Sequence, residues 1–178
     1  MSMKNLPNQL TMLRIALVPV FIVVLMSGHY YSSAAIFAAA SITDALDGYI
    51  ARKYDLISNF GKLMDPLADK LLVVSALVCL VELGDIPAWI VIVILAREFA
   101  ITGLRSVAAS SGAVIAAGFS GKLKTVFQMI AIIALLLKNQ PFEMAGVPFA
   151  YAMLMAALVL TIYSGAEYIV KNRQFFKN

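Results

Sequence analysis

The sequence predicts an all-α polytopic membrane protein with six transmembrane helices, both termini cytoplasmic, and a single domain spanning residues 1–178. Three observations carry that expectation. First, 62% of the residues are hydrophobic and 13% charged, with a mean hydropathy of +0.89, far above the roughly half-apolar usage of soluble domains. A soluble chain of this length could not hide runs such as "LVVSALVCLVEL" and "YAMLMAALVLTIY", because a small domain leaves much of its surface in water. Second, a helix needs about 20 apolar residues to cross a bilayer core, and runs of that scale lie at 10–27, 32–51, 65–83, 86–106, 121–138 and 147–169. Third, when the chain is threaded through six crossings, eleven of the fourteen lysines and arginines fall on one side. That side is the cytoplasm by the positive-inside rule.

Taken in order, the first run, "IALVPVFIVVLM", lacks a small-residue cleavage site at its end and reads as a retained helix. The breaks "SGHYYSS", "ARKYDLISNFGK", "ELGDIP", "AASSGAVIAAGFSG" and "KNQPFEMAGVP" carry the turn residues that separate the six. The cytoplasmic flanks hold Lys4, Arg14, Arg52, Lys53, Lys62, Arg105, Lys122, Lys124, Lys171, Arg173 and Lys177. Lys138 stands alone opposite, and Lys70 and Arg97 lie inside runs. The outer side carries Glu82, Asp85 and Glu143 with the interface aromatics Tyr30, Tyr31 and Trp89. His29 reads as a loop residue there, and Cys79, the only cysteine, as a small buried filler with no disulfide to make. The net charge of +4 suits an anionic leaflet and not nucleic acid, since the cations flank spanning helices.

The stretch "SITDALDGYIARKYDLISNFGKLMDPLADK" breaks the apolar pattern with four carboxylates. Asp44 and Asp47 are spaced i, i+3 at the cytoplasmic end of the second run, and Asp65 and Asp69 i, i+4 at the start of the third. Each pair therefore lies on one helix face, and the short link between the runs brings the two pairs to similar depth. Four carboxylates in a poorly hydrated volume repel one another unless a cation joins them. Oxygen donors without nearby cysteine or histidine select Mg²⁺, Mn²⁺ or Ca²⁺. Four of them suit two such ions, a recurring arrangement for displacement at phosphorus. Gly48 permits close approach of a ligand, and Arg52 offers a fork for phosphate oxygens. A cation or proton carrier is the rival reading, against which the apolar outer halves of the runs argue.

These residues carry a resemblance. "DALDGYIARKYDLISNFGKLMDPLAD" meets every specified position of the D-x2-D-G-x2-A-R-x8-G-x3-D-x3-D signature of the CDP-alcohol phosphatidyltransferases. "LPNQLTMLRI", "AREFAITGLRSVAASSG" and "GKLKTVFQM" resemble the bacterial branch of that family that forms phosphatidylglycerophosphate. The resemblance implies transfer of a phosphatidyl group from CDP-diacylglycerol to sn-glycerol 3-phosphate with release of CMP. It implies two Mg²⁺ (or Mn²⁺) ions on Asp44, Asp47, Asp65 and Asp69, with Asp69 also the base. It places Gly48, Ala51, Arg52, Ser58, Asn8 and Thr11 around CDP-diacylglycerol. It also suggests a homodimer in the cell membrane, with the site at the cytoplasmic face, where a lipid and a water-soluble substrate can meet. A relative using serine, inositol phosphate or phosphatidylglycerol differs only in its acceptor site. For that site the chain offers Arg105, Lys122 and Lys124 in the cytoplasmic loop between the fourth and fifth runs, with Arg97 one or two turns inside. Lys122 and Lys124 also fit a plain flanking role. Arg97, in an apolar helix beside Glu98, is expected to face a polar cavity.

Overall fold

The computed structural model describes residues 6–53, 59–110, 118–140 and 142–173; within its helices the side chains of residues 6–9, 44–53, 59–63, 65, 66 and 69 fall outside that description. Among the described residues the chain is all-α, with no strand. Six α-helices follow one another: α1 (Leu6–Met26), α2 (Tyr30–Lys53), α3 (Asn59–Glu82), α4 (Ala88–Ser110), α5 (Phe119–Leu136) and α6 (Phe149–Lys171), with a short 3-10 turn at Phe142–Ala145 before the last. Each coincides with one of the six apolar runs. Most extend past the run at an end, α3 by about two turns, because the hydrogen-bond ladder continues into polar residues that a hydropathy count excludes.

Turn chemistry ends the helices. Gly28, at φ 81°, closes α1 by donating its N–H to the Leu25 carbonyl at 2.9 Å, a left-handed stop that glycine adopts without strain. Before α6, the Asn139 amide donates to the Val147 carbonyl at 2.8 Å and its oxygen accepts the Ala150 N–H at 2.9 Å. One side chain thus ties the loop to the first turn of the helix.

The chain divides into two compact units, Met1–Leu83 with Leu136–Lys138, and Gly84–Leu135 with Asn139–Asn178. In the first, α1 packs along both α2 and α3. Thr11, Arg14, Val18, Phe21 and Leu25 form its buried stripe, and the Phe21 and Phe37 rings meet at 6.0 Å. Ala34 and Ala40 on α2, and Ala68 and Ala76 on α3, are buried small residues of the kind that lets helix backbones approach closely. In the second unit α4 packs on α6, with Ile101, Leu104 and Tyr168 as a shared core.

Outside these contacts the helices present bare hydrocarbon: Val23, Ile92 and Val170 stand 64, 64 and 67% exposed, a surface that water does not tolerate over such an extent. Among the described residues, two helices, α5 and α6, are long and apolar enough to cross a membrane. Cys79 is buried and free, and His29 is exposed.

Candidate active site

Two groups of residues carry chemistry, one in each unit. In the first unit the buried stripes run on toward the carboxylates. Along α2, Ser33, Phe37 and Ala40 are buried, and the same three-and-four spacing continues through positions 44 and 47. Along α3, Ala76, Leu72 and Ala68 are buried, and the spacing continues back to 69 and 65. On α1 the stripe starts at Thr11, 1% exposed, one turn from Asn8. The Phe21–Phe37 contact, with the three-residue turn between the helices, makes α1 and α2 antiparallel. The start of α1 and the end of α2 therefore share one end of this unit. The side chains of Asn8, Asp44, Asp47, Gly48, Ala51, Arg52, Asp65 and Asp69 lie outside the described residues, as does Ser58 altogether. The donor set of the four acidic positions, carboxylate oxygen alone, fits a hard divalent cation.

Arg14, counted in the sequence among the cytoplasmic flank cations, belongs to this end as well. It is 2% exposed, within the α1 stripe between Thr11 and Val18. On the antiparallel register set by Phe21 and Phe37 it lies level with position 44. A guanidinium is buried only where its charge and donors are answered, and the signal for this in the sequence is its i, i+3 spacing from Thr11.

In the second unit the polar group is described in full. Arg97 Nη1 donates to Glu98 Oε1 at 2.8 Å, and Nη2 donates to Ser164 Oγ of α6 at 2.9 Å. Lys124 Nζ, from α5, reaches the same Glu98 Oε1 at 2.8 Å. Neighbours on a helix point about 100° apart, so Arg97 and Glu98 do not meet by helix geometry alone. The ammonium arriving from α5 gathers them onto one oxygen. Lys124 is 3% exposed, and a buried ammonium needs opposite charge beside it, to which Glu98 contributes. Two glycines make the room: a Cβ on Gly165 would stand 3.1 Å from Arg97 Cγ, and one on Gly121 3.3 Å from Nη2. Ser164 donates onward to the Thr161 carbonyl at 3.3 Å. Toward the end of α6, Glu167 accepts from Ser120 Oγ and from Lys171 Nζ, clasping α5 to α6.

Of the four cations predicted for an acceptor, the structure brings together Arg97 and Lys124. Arg105 lies two turns along α4, its Nε donating to the Tyr168 hydroxyl at 3.2 Å and its guanidinium carbon 5.5 Å from the ring centroid. Lys122 is exposed, turned away from the face that Gly121 and Lys124 share. Sequence reasoning missed Glu98 as the hub, Ser164, the two glycines and Gln128. Gln128 is 3% exposed, one turn from Lys124, and among the described residues its Oε1 has no hydrogen-bond partner; nor has Arg97 Nε. Gly121, Lys124 and Gln128 at i, i+3 and i, i+7 were the available signal.

Comparison with known proteins is consistent in direction. The family profile described as CDP-alcohol phosphatidyltransferase matches residues 4–163. The chain is 48% identical over 190 residues to the CDP-diacylglycerol--glycerol-3-phosphate 3-phosphatidyltransferase of Bacillus subtilis (strain 168), covering 98% of each. It is 42% identical over 174 residues to a probable phosphatidylglycerophosphate synthase of Mycobacterium tuberculosis H37Rv, covering 94% of this chain and 81% of the relative. To the CDP-diacylglycerol--glycerol-3-phosphate 3-phosphatidyltransferase of Rickettsia typhi it is 38% identical, covering 98% of this chain and all of the relative. A profile that matches most of the sequence, with relatives similar from end to end, leaves one conclusion: the protein belongs to the CDP-alcohol phosphatidyltransferase family.

Proposed function

We propose that the protein is a phosphatidyltransferase that moves the phosphatidyl group of CDP-diacylglycerol to the primary hydroxyl of sn-glycerol 3-phosphate, releasing CMP and forming phosphatidylglycerophosphate. The observation that carries this reading is the complete aspartate signature in a chain nearly half identical, over its whole length, to a relative bearing that activity in its name. The family is in general metal-dependent. Bound at Asp44, Asp47, Asp65 and Asp69, two Mg²⁺ or Mn²⁺ ions would offset charge on the non-bridging and departing phosphate oxygens. Asp69 takes the proton of the attacking hydroxyl. Asn8, Thr11, Gly48, Ala51, Arg52 and Ser58 hold the nucleotide and diphosphate of the donor, Gly48 by allowing close approach and Arg52 by its planar fork.

The acceptor's phosphate falls to Arg97 and Lys124, with Arg105 and Lys122 on its approach. In support, Arg97 and Lys124 converge within hydrogen-bond reach of one oxygen, the spacing a phosphate needs to accept from both. Six spans, cytoplasmic termini, a cytoplasmic-face site in the inner membrane, a homodimer and a single domain complete the proposal. The family match running from 4 to 163 crosses both units and supports the single domain. CMP release from CDP-diacylglycerol, measured with glycerol 3-phosphate, serine, inositol phosphate and phosphatidylglycerol, tests the reading. Release with glycerol 3-phosphate alone is expected, and release with another alcohol in its place overturns the acceptor. EDTA should stop the reaction and Mg²⁺ or Mn²⁺ restore it; turnover surviving thorough chelation overturns the metal assignment.

A further inference from the structure

A carboxylate is an unexpected neighbour for cations assigned to a phosphate, because it competes for the same donors and repels the same ligand. Glu98 nevertheless occupies the point where Arg97 and Lys124 converge. Both cations meet the same oxygen, its Oε1, at 2.8 Å each. Two cations that share one oxygen each hold it less well than in the two-oxygen fork a guanidinium prefers. The pairing is also incomplete: with Nη1 on Glu98 and Nη2 on Ser164, Arg97 Nε is buried without an acceptor among the described residues. The Glu98 side chain keeps 24% of its surface exposed, against 4% for Lys124, so the carboxylate has somewhere to go while the ammonium does not.

We propose that Glu98 is a specificity-determining residue, a resident counter-ion that holds the Arg97–Lys124 site in the absence of acceptor and that an incoming phosphate monoester must displace. The inference rests on the acceptor-phosphate reading of Arg97 and Lys124. A phosphate brings more acceptor oxygens than the one Glu98 uses, enough for Arg97 Nη1 and Lys124 Nζ to bond separate oxygens, and brings up to two negative charges against one. A neutral alcohol brings neither and cannot replace the carboxylate. Weakly bound anions of the cytoplasm and the phosphodiester headgroups of the surrounding leaflet meet the same barrier. The cost is paid by every anion, and only one that brings more oxygens and more charge than Glu98 recovers it.

The consequence has an unusual sign: removing a charged residue from the site should tighten binding. In Glu98→Gln the amide keeps the shape and one acceptor oxygen but no longer competes as an anion. The Michaelis constant for glycerol 3-phosphate and the inhibition constants of inorganic phosphate and sulfate should each fall about tenfold, the size of one charge-assisted contact. The constant for CDP-diacylglycerol should stay put. Thermal stabilisation of the detergent-solubilised protein by inorganic phosphate should begin at correspondingly lower concentration, a readout independent of turnover. Glu98→Asp, a methylene shorter, covers the case in which Glu98→Gln does not fold. It cannot reach both cations from the same backbone, and anion binding should tighten by a smaller factor. Weaker or unchanged anion binding in the variant that folds means Glu98 holds the cations in place, and overturns the inference. Arg97→Ala and Lys124→Ala separate the two levels. If neither weakens inorganic phosphate, the acceptor-phosphate reading falls and the role of Glu98 with it. If both weaken it and Glu98→Gln does not tighten it, only the role of Glu98 falls.

Discussion

Lys122 and Lys124 carry the same charge two positions apart, yet helical geometry turns them to different surroundings. Lys124 is buried and bonded to Glu98, whereas Lys122 stands exposed. Loss of a buried charge-assisted contact costs about 1.5–3 kcal/mol, and loss of an exposed one typically under about 1 kcal/mol. Lys124→Ala should therefore raise the Michaelis constant for glycerol 3-phosphate about 10- to 150-fold, and Lys122→Ala less than about fivefold, in steady-state assays with CDP-diacylglycerol saturating. Equal effects would mean that burial does not separate their roles. Asp69→Asn is nearly isosteric but, on the proposed mechanism, would remove both a metal ligand and the base; turnover should vanish while the protein still accumulates in membranes. Substantial CMP release by that variant would take Asp69 out of the mechanism. Arg14, buried at the same end of α1 as Thr11, is expected to matter where the exposed Arg173 does not. Arg14→Ala should lose at least about tenfold in turnover and Arg173→Ala almost none, compared at matched protein levels.

At the scale of an element, α6 presents the face that receives Arg97, made by Gly165 beside Ser164 and Thr161. A methyl group at Gly165 would sit 3.1 Å from Arg97 Cγ, inside ordinary contact distance and close to the backbone end of the side chain, where it has little freedom to move. Gly165→Ala should thus push the guanidinium off Ser164 and raise the acceptor's Michaelis constant several-fold, with the donor's unchanged. Gly121→Ala meets the mobile Nη2 tip at 3.3 Å and should do less. Gly103→Ala on α4 meets nothing within 4 Å and is the control, since alanine in a helix interior is favourable by about 1 kcal/mol over glycine. A Gly165→Ala enzyme with normal acceptor kinetics would show that Arg97 keeps its position without the glycine.

At the scale of the whole molecule, the charge asymmetry of the six runs makes a topological prediction. In a Cys79→Ser background, cysteines introduced at Ser2 and at Asn178 should resist a membrane-impermeant thiol reagent applied to intact cells, and one at Ser32 should react. Labelling at either terminus would overturn the cytoplasmic orientation and the placement of the active site with it. The Cys79→Ser background is suitable because the thiol is buried and free, and serine is its near-isosteric replacement.

The sequence by itself determined the helical class, the extent of the apolar runs and the identity of the aspartate signature. All three are local properties: hydropathy over about 20 residues, and spacing within one helix. It also placed Asp44 with Asp47, and Asp65 with Asp69, on common faces, because i, i+3 and i, i+4 geometry needs no partner. The tertiary structure alone decided which cations converge. Arg97 and Lys124 are 27 positions apart on different helices, and nothing in either helix specifies the rotation that brings both to one oxygen of Glu98. That rotation is fixed by packing, through the room left at Gly121 and Gly165 and the hydroxyl of Ser164. Arg14 followed the same rule in reverse. Read along the chain it resembles one more flanking charge, and only the burial of its stripe against α2 and α3 makes it an interior residue.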